Sequence, residues 1–403
     1  GSGGSGVSSP VNTPLYNGIM IPFGDNLSIQ ESRISLTNTS FTPSVMFGDS
    51  IINSFSNKDF YFYDALNGGF LYNLNYFLNQ NEQFQVDDKY LFNDISRLSY
   101  VIRKPNQDTN IVFNNVMSDY RVDSNLVLKF TANSPNIGIQ NFNKRNNLSS
   151  FNLETLRNPF FDNTKSGIGI NSEIDLGNNE ILLGYHNTGY KIGEDLESKS
   201  SENLTASFIG SNKIFDQYTI ALGLLIENGS FLDAEGSGAF SLNDGKNYSQ
   251  YIGLNINKNL MNNIDLKFVS TNGVSKLSNS QNNFIIGSSN IYSSSYNAMV
   301  DKYNLFRDDD KLTFSISQPH RIDKGDFNLM LPQLAKTNGD MDYLYKDASL
   351  TPSGRQLNLG LDYTFMPSND MMIGFQTTLI KNRNHIANSN SEQNFSITTK
   401  FRF

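Results

Sequence analysis

The sequence predicts an all-β fold: a transmembrane antiparallel β-barrel of about 12 strands, preceded by a mostly β linker region with one or two short helices. Three observations predict it. Apolar and polar residues alternate in segments on the order of ten residues, the length that a tilted strand needs to cross a bilayer. Clusters of Asn, Asp, Gly and Ser separate these segments. The last segment alternates without a break up to Phe403.

The alternation is clearest in the second half of the chain. In residues 357–365, Leu359, Leu361 and Phe365 share the face expected to contact lipid, and Ile373 and Phe375 continue it in the next segment. Comparable segments are residues 167–176, 218–226, 252–256, 264–268, 312–316 and 327–331. A soluble β-sandwich also alternates. The Gly, Asn, Ser, Thr and scattered charges of the opposite face favour a wet lumen instead.

The opposite face provides the candidate lumen-facing residues. By alternation they are Glu173, Asp175, His186, Asp362, Lys400 and Arg402. The final segment, residues 394–403, places four apolar residues on its other face: Phe395, Ile397, Phe401 and Phe403. We expect this segment to pair with a first strand near residues 167–176, because an open strand edge cannot be satisfied in lipid.

The composition excludes several function classes. The 403 residues include no Cys, which rules out disulfides, thiolate metal sites and Cys nucleophiles. A net charge of −8 argues against a nucleic-acid-binding surface. No apolar run approaches the roughly 18 residues of a membrane helix. The mean hydropathy of −0.40 suits a barrel, in which only alternate residues face lipid.

Two short motifs could suggest a site, and both have a simpler interpretation. The sequence EGSGAF (residues 235–240) resembles a Gly-rich anion loop, but it lacks the strand–turn–helix context, so we expect a surface loop. The run DDD (residues 308–310) lacks the spacing of a calcium loop, so we expect a solvated turn. We therefore predict no metal site, no cofactor site and no catalytic residue.

The chain divides into three parts. Residues 1–19 begin with GSGGSG and form either an expression linker or a native Gly/Ser connector. Residues 20–150 are a mostly β linker or passenger junction, with a candidate helix at residues 44–57. Residues 151–403 form the barrel, with a second short helix expected at residues 151–157. The strand count is open by two, because residues 110–116 and 126–132 can join the barrel.

Several motifs resemble those of one family, and they occur along the chain in the same order as in that family. They are SISQPHRIDKGDF (residues 315–327), LMLP (329–332), LTPSGRQ (350–356), PVNTPLYNGIMIPFGD (10–25), FGD (47–49) and FYD (62–64). They resemble the C-terminal linker and translocator barrel of subtilisin-like serine protease autotransporters, over most of the chain. Gln356 departs from the pattern, since that family usually has Glu there, which puts any carboxylate role at this position in doubt.

The resemblance implies a function and partners. It implies an anchor and translocator in the outer membrane of a Gram-negative bacterium, with the N-terminal part at the cell surface. The implied partners are outer-membrane lipid, the barrel-assembly machinery, for which the terminal aromatic strand is the signal, and an upstream passenger protease. We expect a monomeric barrel and no nucleic acid. The His and Ser motifs of the protease do not occur in this chain, so we expect no enzyme activity from it.

Three other functions stay open. A free-standing outer-membrane channel or porin is the leading alternative, although the long region before the barrel argues against it. A protease fragment that keeps activity would need the missing triad. A soluble surface adhesin is the third.

Overall fold

The computed structural model describes residues 34, 36, 38–63, 69–79, 99–103, 110–114, 116–134, 160, 167–188, 200–242, 245–261, 263–281, 283–333, 341–368 and 371–401. Almost all described elements are strands. In chain order they are β1 (Ser40–Thr42), β2 (Asp59–Tyr63), β3 (Gly69–Asn73), β4 (Ser99–Arg103), β5 (Asn110–Asn114), β6 (Val116–Arg121), β7 (Leu126–Ser134), β8 (Gly167–Asp175), β9 (Glu180–Asn187), β10 (Ser200–Gly210), β11 (Gln217–Asn228), β12 (Ser230–Phe231), β13 (Ala234–Ser237), β14 (Asn247–Met261), β15 (Ile264–Lys276), β16 (Ile285–Ser288), β17 (Ile291–Tyr303), β18 (Lys311–Lys324), β19 (Asp326–Pro332), β20 (Tyr343–Ser349), β21 (Leu357–Ser368), β22 (Met371–Lys381) and β23 (Glu392–Phe401).

The helical elements are short. The α-helix α1 (Ser50–Phe55) follows a 3-10 turn at Val45–Phe47, so the helix expected at residues 44–57 is split in two. Gly48 separates the two pieces with a φ of +52°, a left-handed conformation that favours glycine. Further 3-10 turns are Leu74–Phe77, Gly238–Phe240 and Arg383–His385. The second expected helix, at residues 151–157, lies outside the described residues.

Thirteen of the strands in the described residues form one antiparallel sheet in the order β6, β7, β8, β9, β10, β11, β14, β15, β17, β18, β21, β22 and β23. Each strand pairs with the next sheet strand along the chain, so the sheet is a meander. Turns between strands alternate in length along it. Those at one end, the short-turn rim, are residues 122–125, 176–179, 211–216, 262–263, 304–310 and 369–370. Those at the other end, the long-loop rim, are residues 135–166, 188–199, 229–246, 277–290, 325–356 and 382–391.

The burial of the sheet is the reverse of that in a soluble protein. Apolar side chains on one face are exposed, as Leu222 at 56% and Ile397 at 59% illustrate. Polar side chains on the other face are buried, and His186, Asn203 and Thr313 are all 0% exposed. A surface that is apolar outside and polar inside is the arrangement of a membrane barrel, whose outer face contacts lipid. The predicted fold class and a strand count within two of 12 are therefore confirmed.

Two expectations about the strands are wrong. Strand β8 was expected at the edge, paired with the final strand, but it pairs with β7 and β9. The reason is that residues 126–134 also alternate and supply a neighbour upstream, so the sheet takes two strands from before residue 151. Residues 327–331 were counted with the barrel, but they lie in β19, outside the sheet. Their apolar side chains are buried in a second core, as Phe327 and Leu329 at 0% exposure show.

This second core, the rim core, lies at the long-loop rim. It joins residues 34–78 to the long loops, whose strands β16, β19 and β20 form a small sheet of their own. Its largest side chains are Phe41, Phe47, Phe55, Phe60, Phe231, Phe240, Phe284 and Phe327. Phe60 and Phe284 are in close contact, with ring centroids 4.6 Å apart, and Phe55 stacks on Phe240 at 5.7 Å. Aromatic pairs of this kind add to the apolar area that they bury.

Candidate functional site: the junction of the N-terminal segment with the long-loop rim

The N-terminal segment adds a strand to one of the long loops. Strand β1 pairs antiparallel with β13, so that Phe41 lies opposite Gly236. The Ser237 hydroxyl donates to the Asn38 carbonyl at 2.7 Å, and the Ala239 amide donates to Thr39 Oγ1 at 3.1 Å. The EGSGAF sequence was expected to be a surface loop and is instead the partner of β1, with Phe240 fully buried. A Cβ on Gly236 would lie 1.9 Å from the Phe240 carbonyl oxygen, so only glycine fits there.

The FGD and LTPSGRQ motifs meet at the same rim. Asp49 precedes α1 and accepts hydrogen bonds from the Ser353 amide at 2.9 Å and the Ser353 hydroxyl at 2.6 Å. The same hydroxyl accepts from the Ala387 amide at 2.9 Å. Gly48 fits closely against Pro352, since an added Cβ would lie 2.8 Å from that ring. Charge-assisted bonds to a carboxylate are the stronger kind of hydrogen bond.

The SQPHR and LTPSGRQ motifs are joined by two arginines. Arg321 donates through Nε to the Gly354 carbonyl at 2.8 Å and through Nη2 to the Pro352 carbonyl at 2.9 Å. Both Arg321 and Arg355 bind Asp323 Oδ1, at 3.0 and 2.9 Å. The planar fork of a guanidinium presents its donors in a fixed geometry, so it holds the two carbonyls more rigidly than the rotating donors of a lysine would. Arg321 therefore fixes the loop that receives Asp49.

His385 completes the cluster and was not singled out in the sequence. Its Nδ1 accepts from the Gln356 amide at 3.1 Å, so its Nε2 carries the proton and donates to the His320 carbonyl at 3.0 Å. The pKa of His385 is lowered to about 4, mainly by burial and in smaller part by the charges of Arg321 and Arg355. His385 is therefore a neutral packing group in a turn where Asn384 has a φ of +53°. No sequence signal marks it, because its partners are main-chain atoms from distant segments.

The inner face of the sheet holds paired charges. Lys267 Nζ lies 2.7 Å from Asp301 Oδ2, and Thr313 donates to the other Asp301 oxygen at 2.6 Å. Lys129 pairs with Glu173 further round the sheet. Buried charges need such partners because their desolvation is costly.

The six expected lumen residues have different positions. His186 and Asp362 are buried on the inner face, and Glu173 is half-buried in its ion pair. Asp175 is exposed at the short-turn rim, where its carboxylate accepts from the Gly177 amide at 2.7 Å. The Lys400 side chain and all of Arg402 lie outside the described residues.

Phe160 lies against the inner face near the long-loop rim. It stacks on Tyr251 with ring centroids 4.7 Å apart and meets His320 edge-on at 4.9 Å. A Cβ on Gly273 would lie 1.9 Å from the Phe160 ring, so the glycine provides the space for it. Phe160 therefore places at least one residue from outside the strands within the concave side of the sheet.

The final strand presents its apolar face outward. Phe395 is 67% exposed, and Ile397 has the same orientation. The Phe401 backbone pairs with Met371, whereas the Phe401 side chain and Phe403 lie outside the described residues. The exposed residues expected on the lipid face include Leu359, Leu361 and Phe375, and Phe365 and Ile373 are partly exposed.

No metal-binding cluster is found in the described ranges, where no group of three His, Asp or Glu side chains could hold an ion. Asp310 instead closes its turn by accepting from the amides of residues 305–307. Partial desolvation raises the pKa of Asp310, but the hydrogen bond from the Tyr363 hydroxyl and these three backbone bonds outweigh it and hold the pKa below its usual value. Within the same ranges, no helix is both long enough and apolar enough to cross a membrane.

Comparisons with known proteins assign the chain to no family. No protein-family model and no curated protein matches the sequence. Among solved structures, the chain resembles OprB of Pseudomonas putida at high pH, with 8% identity and a TM-score of 0.41 over 73% of each chain. It also resembles in-vitro folded OmpT, an outer membrane protein of Vibrio cholerae, with 9% identity and a TM-score of 0.40 over 73% of this chain and 92% of that one. Similarity at this level says nothing about function. The fold class rests instead on the chain's own structure, because the inverted burial of the 13-stranded sheet is that of a transmembrane antiparallel β-barrel.

Proposed function

We propose that this chain is the outer-membrane anchor and translocator of an autotransporter, holding an upstream subtilisin-like passenger at the cell surface. One observation carries the proposal. The motifs that resemble the family, FGD, SQPHR and LTPSGRQ, come together through Asp49, Arg321 and Ser353. The N-terminal segment is thereby built into one rim of the barrel, as expected of a passenger junction.

The lengths of the connections support the orientation. Outer-membrane barrels have short periplasmic turns and long extracellular loops. The described residues between 34 and 78 pack on the long-loop rim, which would place them outside the cell, while β23 runs toward the short-turn rim. A passenger upstream of residue 34 would then be held at the surface. The barrel-assembly machinery would act on the final strand from the periplasmic side.

A free-standing channel is the second candidate. The observation in its favour is the charged inner face, with Lys267, Asp301 and Asp362, since such residues suit a water-filled lumen. Against it, the inner-face polar residues are almost inaccessible, and Phe160 occupies part of the concave side. Steady conductance of the folded chain in planar bilayers, at the level of an open porin, would favour the channel.

The translocator role is tested by topology. An epitope placed before residue 1, behind a secretion signal, should be removed from intact cells by external protease, while the barrel stays protected. A second epitope in the turn at residues 304–310, on the short-turn rim, is the matched control and should resist. Protection of the first epitope, with digestion of the second, would contradict the proposed orientation.

The proposal assigns no catalysis to this chain, because the passenger would carry the protease. Purified residues 1–403 should not hydrolyse peptides. Hydrolysis that a serine-directed inhibitor blocks would contradict this part of the proposal.

A further inference from the structure

We infer that the outer face of the sheet at the long-loop rim binds the phosphate groups of anionic membrane lipids. The surface is a belt of tyrosines and basic residues near the ends of neighbouring strands. Its members are Tyr248, Lys276, Tyr292, Lys324, Arg355 and Lys381. The inference rests on the membrane-spanning part of the proposed function and does not depend on the passenger.

The strand register brings the tyrosines and lysines together. Tyr248 lies opposite Lys276 across β14 and β15, and Tyr292 lies opposite Lys324 across β17 and β18. Residues directly opposite in an antiparallel pair share a face, with Cβ atoms about 4.5–5.5 Å apart. All four side chains are exposed on the apolar outer face. Each tyrosine therefore has an ammonium group within reach on the same side of the wall.

The belt continues across the next strands. Lys381 lies opposite Leu357, whose exposed side chain marks the outer face there. Arg355 reaches the outer face, where its Nη1 donates to the Tyr296 hydroxyl at 3.0 Å. The basic groups thus follow the rim from β15 to β22 and are not confined to one loop.

The belt has a surplus of positive charge. Across the described ranges, Lys276, Lys324 and Lys381 form no ion pair with any carboxylate. The nearby acid Asp323 already binds both Arg321 and Arg355. Exposed lysines do pair at other places on the barrel, as Lys246 with Glu202 at the same rim and Lys258 with Asp216 at the other rim show. The ammonium groups of these exposed lysines are therefore available to an anion from outside the described protein.

Lipid phosphates have the chemistry and the position to be that anion. Tyrosine rings are favoured at the depth of the headgroups, and lysine stems can lie along apolar surface while the ammonium reaches that layer. A lysine near an anionic membrane surface strengthens binding by about fivefold. Three unpaired lysines along this rim should thus produce a strong preference for anionic lipid.

The test is a lipid titration of the chain folded in detergent micelles, with retained lipid counted by native mass spectrometry. The probes are phosphatidylglycerol, phosphatidylcholine and inorganic phosphate. The test variant combines Lys276→Gln, Lys324→Gln and Lys381→Gln. The matched control removes the same charge away from the belt, through Lys213→Gln, Lys302→Gln and Lys346→Gln. A third variant changes the three belt lysines to Arg. It keeps the positive charge, so it shows whether a loss of lipid comes from the charge or from misfolding caused by substitution at these sites.

The expected result is that wild type retains phosphatidylglycerol in preference to phosphatidylcholine. The belt variant should lose about tenfold or more of that affinity, while the control and Arg variants keep it. Equal retention of both lipids by wild type would overturn the inference, as would equal losses in belt and control variants. Displacement of the lipid by an equal concentration of inorganic phosphate would also overturn it. A wild-type chain that fails to fold in micelles would overturn the membrane assignment as well.

Discussion

The Ser353 hydroxyl donates to Asp49 Oδ2 at 2.6 Å and joins two residues 304 positions apart in the sequence. Because the Ser353 amide also donates to this carboxylate, the pair fixes the start of α1 on the loop that Arg321 holds. This contact attaches the N-terminal segment to the barrel without a covalent bond. It is therefore the first place to test the junction.

Removing the Asp49 carboxylate should loosen the N-terminal segment. Asp49→Ala deletes two charge-assisted bonds, which should cost about 1–3 kcal/mol of local stability. Limited proteolysis should then release a fragment from residues 34–79 earlier than in wild type, while the barrel stays intact. Asp309→Ala, an exposed acid at the short-turn rim, is the control and should change nothing. Equal protease resistance of Asp49→Ala and wild type would mean that the contact does not hold the segment.

A charge on the lipid face should destabilise the barrel. Leu361 is 45% exposed on the outer face, so Leu361→Arg should cost about 2–4 kcal/mol if the site is near the membrane midplane. Reversible folding into vesicles measures the cost. Leu344→Arg is the control, because Leu344 is exposed on β20, away from the barrel wall. If both variants fold equally well, the outer face does not contact lipid.

Gly273 and Phe160 should be coupled. Gly273→Ala places a methyl group where the Phe160 ring lies, and overpacking of this kind costs about 1–3 kcal/mol. In a Phe160→Ala background the same change should cost much less, because the ring is gone. The two changes and their combination form a double-mutant cycle, read by thermal unfolding on heat-modifiable gels. Additive effects would place Phe160 away from Gly273.

The stability of the rim should depend on pH through His385. Its pKa is about 4 in the folded protein, below the ordinary value of 6.5, so the unfolded chain binds the extra proton first. The unfolding free energy should therefore fall as the pH drops from about 6.5 to about 4, by up to about 3 kcal/mol from this residue. Protonated Nδ1 could no longer accept from the Gln356 amide. A His385→Gln variant should show a weaker pH dependence than wild type between these values, and an unchanged slope would exclude His385 as its source.

The final strand should govern assembly. Deleting residues 401–403 removes the backbone pairing of Phe401 with Met371, and an unpaired backbone group in lipid costs several kcal/mol. We expect less assembled barrel in outer-membrane fractions, measured by heat-modifiable mobility, and a milder loss for Phe403→Ser. Thr398→Ser should assemble normally. If the truncated chain assembles as well as the parent, the end of the final strand is not part of the assembly signal.

The sequence predicts the wall of the barrel well and the rim poorly, for a physical reason. The outer face requires only an apolar residue at every second position, as at Leu361 and Phe395, and this alternation is visible in the sequence itself. Residues 327–331 alternate equally well, yet β19 leaves the wall, because its partners are apolar groups from residues 34–78. Asp49 contacts Ser353, 304 residues away, and His385 contacts Gln356 and His320, 29 and 65 residues away. The family resemblance covers the motifs that contain Gly48, Ser353 and Arg321, but no local sequence pattern predicts which residues they contact.

The rim core also constrains the order of folding. Phe41 and Phe55 are synthesised early, but the rings that they contact include Phe240 and Phe327, which are synthesised much later. Contacts of such high sequence separation form late, because a long loop must close before they contribute. The segment at residues 34–79 therefore cannot complete its core until most of the barrel exists. A chain that crosses a membrane must stay unfolded during its passage. Here the N-terminal residues lack their packing partners until the later strands have formed, and this delays their folding.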